Sequence, residues 1–188
     1  MSNPLSKIMA ALLAVALLLL FPAVQAAERE EDIAVLAAYN TMVQFTDAVR
    51  NKGYLSAGMY EDFMRDLAVS GRIYEVELEH RYKKYHPEYR DPADSTSFQD
   101  RFSVVYDSYY TSDLLSRLFP DSVPESDGVQ QSADRLYKLE TGDFFSVSLT
   151  RRSVTPYEIL SGFLYAGSAL GRSQQVLLYG GMVLNEDH

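Results

Sequence analysis

The chain has 188 residues, 47% of them hydrophobic, with 17 Lys and Arg against 26 Asp and Glu, 14 tyrosines and no cysteine. A net charge of -9, which becomes -10 once Lys7, the sole charged residue of positions 1–26, is set aside, argues against nucleic acid and against peripheral docking on anionic lipid. The absence of cysteine removes disulfides, thiol nucleophiles and thiolate metal sites together, and the length suits one compact domain after an N-terminal segment.

Residues 1–27 admit two physical readings. As a signal peptide, Lys7 is the positive flank, Ile8–Phe21 the apolar core, Pro22 the helix breaker, and Val24-Gln25-Ala26 the small-residue cleavage pattern. As a membrane anchor, Ile8–Ala27 is interrupted only by Pro22 and Gln25 and spans roughly 30 Å as a helix, about one hydrocarbon thickness. Under either reading Lys7 marks the cytoplasmic side and the acidic remainder is exported. The residues that follow favour the anchor. Glu28–Asn51 contains neither Gly nor Pro, and Val35, Tyr39, Met42, Val43, Phe45, Ala48 and Val49 recur at threes and fours. The spacing predicts one long helix from Ile8 to Asn51, bent at Pro22, with its first half in lipid and its second half packed on a small head.

Asn51-Lys52-Gly53 ends that helix, and a second begins at the N-cap Ser56, carries Tyr60, Phe63, Met64 and Leu67 on one face, and closes at Gly71, making a helical hairpin. From Arg72 the period becomes two: Tyr74, Val76 and Leu78 face one way and Glu75, Glu77 and Glu79 the other, a strand with a wet acidic face. Residues 86–97, HPEYRDPADSTS, read as an exposed loop. Phe98–Tyr110 fits either period and is assigned to a helix; Thr111 or Ser112 caps a short helix through Leu114, Leu115 and Leu118. Asp121–Ser132 reads as a mobile loop. Arg135–Leu139 and Phe144–Thr150 are strands joined at Thr141-Gly142-Asp143, and Thr155-Pro156-Tyr157-Glu158 is a capping box opening a helix to about Leu170, stopped by Gly171. Gln175–Leu184 is strand-like, its Gly180-Gly181 marking a bulge or a close backbone approach. The pattern predicts the α+β class: a long N-terminal helix with an apolar first half, then a single extracytoplasmic domain over residues 28–188 with an antiparallel sheet and short helices.

No catalytic, cofactor-binding or metal-binding residue is assigned. His80 and His86 lack compact metal-ligand spacing and read as solvated side chains near a strand end. The alternation of Glu75, Glu77 and Glu79 is explained by a solvent face, although a hydrolase using Glu75 or Glu77 is a third reading. Asp91, Asp94 and Ser95 form only a fragment of a calcium loop, and no G-x-S-x-G, P-loop or dinucleotide fingerprint occurs.

Three blocks, FTDAVRNKGYLSAGMYEDFMRDLAVSGRIYEVELEHR (45–81), YKLETGDFFSVSL (137–149) and YGGMVLNED (179–187), together with the apolar N-terminus, resemble small pilin-like proteins of Gram-positive bacteria associated with Tad-type and type IV-like pili. The resemblance covers over half the chain. It implies a membrane-inserted N-terminal helix continuing into an exported α+β head, assembly through helix bundling, and no catalytic residues. The sequence departs from type IV pilins in having no glycine-aromatic processing site and no acidic residue inside the apolar segment. The expected partners are the lipid bilayer, through the N-terminal helix, and other pilin-like or envelope proteins. The alternative expectation is a secreted binding module cleaved after Ala26.

Overall fold

The computed structural model describes residues 4–91, 93, 95–120, 135–164 and 175–186. Helix α1 runs without interruption from Pro4 to Lys52, 49 residues, passing through Pro22 and across the step from hydrocarbon to charge at Ala27. Its Ala- and Leu-rich composition favours helix throughout, and Arg50 and Lys52 in the last turn complement the dipole. Gly53, at φ +73°, ends it by donating its N–H to the Val49 carbonyl at 2.9 Å.

The chain then forms β1 (Tyr54–Ser56), α2 (Ala57–Val69), β2 (Tyr74–Tyr89), a 3-10 turn at Ser95–Ser97, β3 (Phe98–Tyr110), α3 (Thr111–Leu118), β4 (Leu136–Lys138), β5 (Phe144–Arg151), α4 (Pro156–Leu164) and β6 (Val176–Met182). The class is α+β, with an antiparallel sheet in the order β3-β2-β5-β6 and a two-stranded pair, β1-β4.

The second half of α1 is interior, and of the first half only Val24 is buried among the described residues. Ala38, Met42, Phe45, Thr46 and Val49 form the buried stripe of the second half; α2, β5 and β6 pack on this half of the helix, and α4 packs on α1 starting from Glu31. Phe45 stacks on Phe63 of α2 with centroids 4.1 Å apart, closing the helical hairpin. The register Val76↔Leu149, Leu78↔Val147 and Val147↔Tyr179 sets one row of apolar side chains across the sheet toward this stripe. Phe145, Val147 and Leu149 are wholly buried there, each contributing about 1.5–3 kcal/mol by removal from water.

Local chemistry explains most element ends. Ser56 accepts the Met59 N–H at 3.1 Å as the expected N-cap of α2. The capping box of α4 is present in both directions: Thr155 N–H to Glu158 at 3.0 Å and Glu158 N–H to Thr155 Oγ1 at 3.2 Å. The Gly180-Gly181 pair is a close approach, since the β5–β6 register continues through it without a bulge. A Cβ on Gly180 would lie 2.4 Å from Ser146 Cβ, and one on Gly181 2.7 Å from the Arg50 guanidinium.

Several expectations are corrected. Phe98–Tyr110 is a strand, because pairing with β2 from Glu79↔Tyr110 to Tyr89↔Phe98 supplies the backbone partners that a helix would supply locally. The supposed loop at residues 86–97 is largely strand: β2 continues through Pro87 to Tyr89, with a register shift between Pro87 and Tyr89. Thr141-Gly142-Asp143 joins strands of two different sheets, since β4 pairs with β1 in the register Leu55↔Tyr137. At α3 the cap position is Tyr110, whose N–H donates to Asp113 at 3.1 Å. The Thr111 hydroxyl instead accepts the Leu78 N–H of β2 at 2.7 Å, tying helix to sheet. The Asp121–Ser132 segment and the continuation of α4 to Leu170 and Gly171 lie outside the described residues.

Gly53 is the most constrained turn residue, because an added Cβ would lie 2.1 Å from the Asn185 carbonyl oxygen; at Gly71, φ +66°, nothing lies within 4 Å. Gly71→Ala should therefore cost about 1–2 kcal/mol, the left-handed penalty alone. Gly53→Ala should cost distinctly more, read as a larger fall in thermal midpoint; equal costs would contradict the packing of the C-terminal segment against the end of α1.

Candidate functional site

Three features of the head bear on function: the outer face of the sheet, a polar cluster inside it, and an arm that projects from it. The first two follow from the alternation along β2, and the third from its length beyond the end of β5.

On the outer face stand Glu75, Glu77 and Glu79, opposite Thr150, Ser148 and Ser146. Glu79 accepts from Ser146 Oγ at 3.3 Å and Ser108 Oγ at 3.4 Å, and Glu75 is paired with Arg152. These carboxylates floor a groove of about 570 Å³ bounded by Tyr110, Ser112 and Leu178. All three leave one strand toward the same open side, spaced about 7 Å apart. They do not flank a bond from opposite sides, which is the arrangement a glycosidase pair requires. Glu75 and Glu77 are exposed as the alternation predicts, whereas Glu79 is half-buried by its hydroxyl partners.

Inside the sheet the histidine expectation fails. His86 is exposed, but His80 is buried, because it continues the inward row Tyr74, Val76, Leu78. Its Nε2 lies 2.9 Å from Asp143 Oδ2 and its Nδ1 2.8 Å from the Tyr137 hydroxyl. Asp143, also buried, accepts the backbone N–H of Lys83 at 2.9 Å and of Glu140 at 3.0 Å. A carboxylate facing three donors acts only as acceptor, so Nε2 carries the proton and Nδ1 accepts from Tyr137. The His80 ring stacks on Tyr109 at 5.9 Å, and the Arg117 guanidinium covers the rings of Tyr109 and Tyr137 at 5.7 and 5.4 Å. Burial pushes His80 below the usual imidazole range against the opposing pull of Asp143, and raises the Tyr137 phenol to about 12. An acid, an imidazole and a hydroxyl in series are here fully mutually satisfied, and the raised phenol is a donor rather than a nucleophile. The cluster links β2, β4 and the turn before β5, so it locks the two sheets together.

No group of three or more metal-ligating side chains converges among the described residues. Asp91 instead forms a local turn, accepting the Ala93 N–H at 3.0 Å, and Asp94 lies outside the described residues.

Sequence reasoning missed the arm. Strand β5 pairs with β2 only as far as Arg81↔Phe144, so Tyr82–Tyr89 and Phe98–Asp107 continue as two strands alone, for roughly 25 Å. An isolated two-stranded hairpin is marginal in water. This one is supported by Tyr89 on Phe98 at 5.8 Å, Phe98 on Phe102 at 5.4 Å and the Lys84–Asp107 ion pair. It nonetheless leaves Tyr85, Phe102, Val104, Val105 and Tyr106 exposed, an unusual aromatic and apolar surface for a strand pair. The tyrosine abundance of the sequence was the signal, and its clustering becomes visible only in the fold.

Compared with known protein families, with curated proteins and with solved structures, the chain matches none.

The His80 cluster gives a pH-dependent expectation. Because the folded-state value is lowered, the unfolded chain takes up the proton first as pH falls; the contribution of neutral His80 is complete above about 6.5 and is lost below it. His80→Gln should cost about 1–3 kcal/mol at neutral pH. Thermal denaturation of the variant should also show a smaller loss of midpoint than the wild type between about pH 7.5 and about pH 5.5.

Proposed function

We propose that the protein is a membrane-anchored, pilin-like or pilus-associated surface protein whose exported head acts through protein contacts, without catalysis. The observation that carries this reading is the continuity of α1. It is long and apolar enough to cross a membrane, its first half is exposed except along the stripe Leu20, Val24 and Ala27, its second half forms the core of the head, and no linker separates the two. A helix whose large apolar side chains face outward over several turns is stable in lipid or against other helices, and unfavourable in water. The helix-then-head architecture also agrees with what the three resembling blocks imply. The exposed aromatic arm supports a role in protein contacts, since Tyr and Phe are enriched at the centres of interfaces.

A second reading is favoured by the Val24-Gln25-Ala26 pattern: cleavage after Ala26 would release a secreted binding module with the outer-face groove as its candidate pocket. Cell fractionation with intact-mass measurement separates the two. The anchored reading expects residues 1–26 retained on a membrane-bound chain; a chain beginning at Ala27 and free in the medium removes it in favour of the secreted module.

A further inference from the structure

Where the head meets the apolar half of α1, four large aliphatic side chains are left in the open. Val69, Ile73, Val154 and Ile159 are between 66% and 82% exposed. They come from two stretches, residues 69–73 and 154–159, that converge at one height on α1. Arg72 is 3.5 Å from Glu30, Arg151 is 2.5 Å from Glu31, and the Thr155 hydroxyl donates to Glu31 at 2.8 Å. Val69 shares a cleft with Glu30 and Ile33, and Ile159 follows Thr155 by one turn, its N–H bonded to the Thr155 carbonyl.

Helix α4 starts at this height and packs on α1. Toward the N-terminus from Glu31, the α1 residues withdrawn from solvent are Ala27, Val24 and Leu20, one stripe at spacings of four and three. Val24 is 9% exposed, against 74%, 70% and 61% for Leu18, Leu19 and Phe21. The head therefore reaches along α1 into the segment that spans the bilayer under the anchored reading. If Ile8–Ala27 lies in hydrocarbon, α4 lies at the same depth as its last turns.

The composition of α4 suits that position. Glu158 is its single charged residue, and Arg151, which lies 2.5 Å from it, also binds Glu31. Burying a carboxylate near lipid is costly unless it is paired, and both acids are. The acidic excess that disfavours docking on anionic lipid lies elsewhere on the head: Glu30, Glu31 and Glu158 each meet an arginine at this base.

We propose that α4 is a second membrane-contacting element, seated in the outer leaflet beside α1, with Val69, Ile73 and Val154 resting on the bilayer surface around it. The occupant of this apolar rim is lipid, because the rim lies at the height from which α4 extends along the membrane-length segment of α1. The head then sits on the membrane instead of standing off it, and the projecting β2–β3 arm is the part that points to other partners. This inference rests on the anchored reading.

The absence of cysteine makes the test clean, since single labels can be placed on the full-length chain. Leu13→Cys, Val154→Cys, Ile159→Cys and Tyr85→Cys, all at exposed positions, carry an environment-sensitive fluorophore in phosphatidylcholine nanodiscs containing acyl-chain spin-labelled lipid. The expected result is strong quenching at Leu13 and Ile159, intermediate quenching at Val154, and none above background at Tyr85. Quenching at Leu13 with Val154 and Ile159 no different from Tyr85 overturns the seating of α4 and leaves the anchor standing. No quenching at Leu13 overturns the anchor, and this inference with it.

Discussion

The stripe Ala38, Met42, Phe45, Val49 on α1 is the surface on which everything else in the head is built. A helix can present such a stripe only if its orientation is fixed, and packing of α2, β5 and β6 on it, with α4 on α1 nearer Glu31, fixes it. The first half of α1 shares the same rigid backbone. Whatever holds the apolar half, lipid or other helices, thereby sets the orientation of the sheet, the groove and the arm.

Two polar devices secure the head at opposite ends of the head-packing half of this helix. Near its C-terminus, Arg50 donates to the Met182 carbonyl at 2.9 Å and Leu184 N–H donates to the Arg50 carbonyl at 2.9 Å, while the Tyr179 hydroxyl bonds Asp47 at 3.1 Å. At the other end, Glu31 holds Arg151 and Thr155. The antiparallel β5–β6 pair is thus tied to α1 at its two ends, through Arg151 at the end of β5 and Met182 at the end of β6, and the apolar stripe between them supplies the burial. The charge step after Ala27, which looks in the sequence like a solvated flank, is in part a set of internal contacts.

Much of this was legible in the sequence. The absence of Gly and Pro from Glu28 to Asn51 identified the long helix, Ser56 and Thr155 announced their caps, and the alternation from Tyr74 gave β2. Two of the errors, at Phe98–Tyr110 and at β1, share a physical origin in non-local pairing. Phe98–Tyr110 carries apolar side chains on both faces because the arm has no buried side, so neither the helical nor the strand period stands out; pairing with β2, a non-local fact, decides it. Strand β1, three residues long, exists only because β4 lies beside it. His80 is a different kind of miss: extending the inward row Tyr74, Val76, Leu78 by two residues already puts it in the core, and the identity of the side chain outweighed the pattern. The partners that make a buried histidine tolerable, Asp143 and Tyr137, lie some sixty residues away in sequence and carry no local signal.

The central claim is that one unbroken helix carries the membrane-length segment into the core of the head. Hydrogen exchange of full-length protein in nanodiscs tests it most directly, at the amides of Ala27 to Ala37, where a stalk or hinge would have to lie. The account predicts protection continuous with that of Met42–Val49, because the backbone is helical and Glu30 and Glu31 are held by the head. Exchange at unprotected rates across Ala27–Asp32, between protected segments on either side, would contradict it.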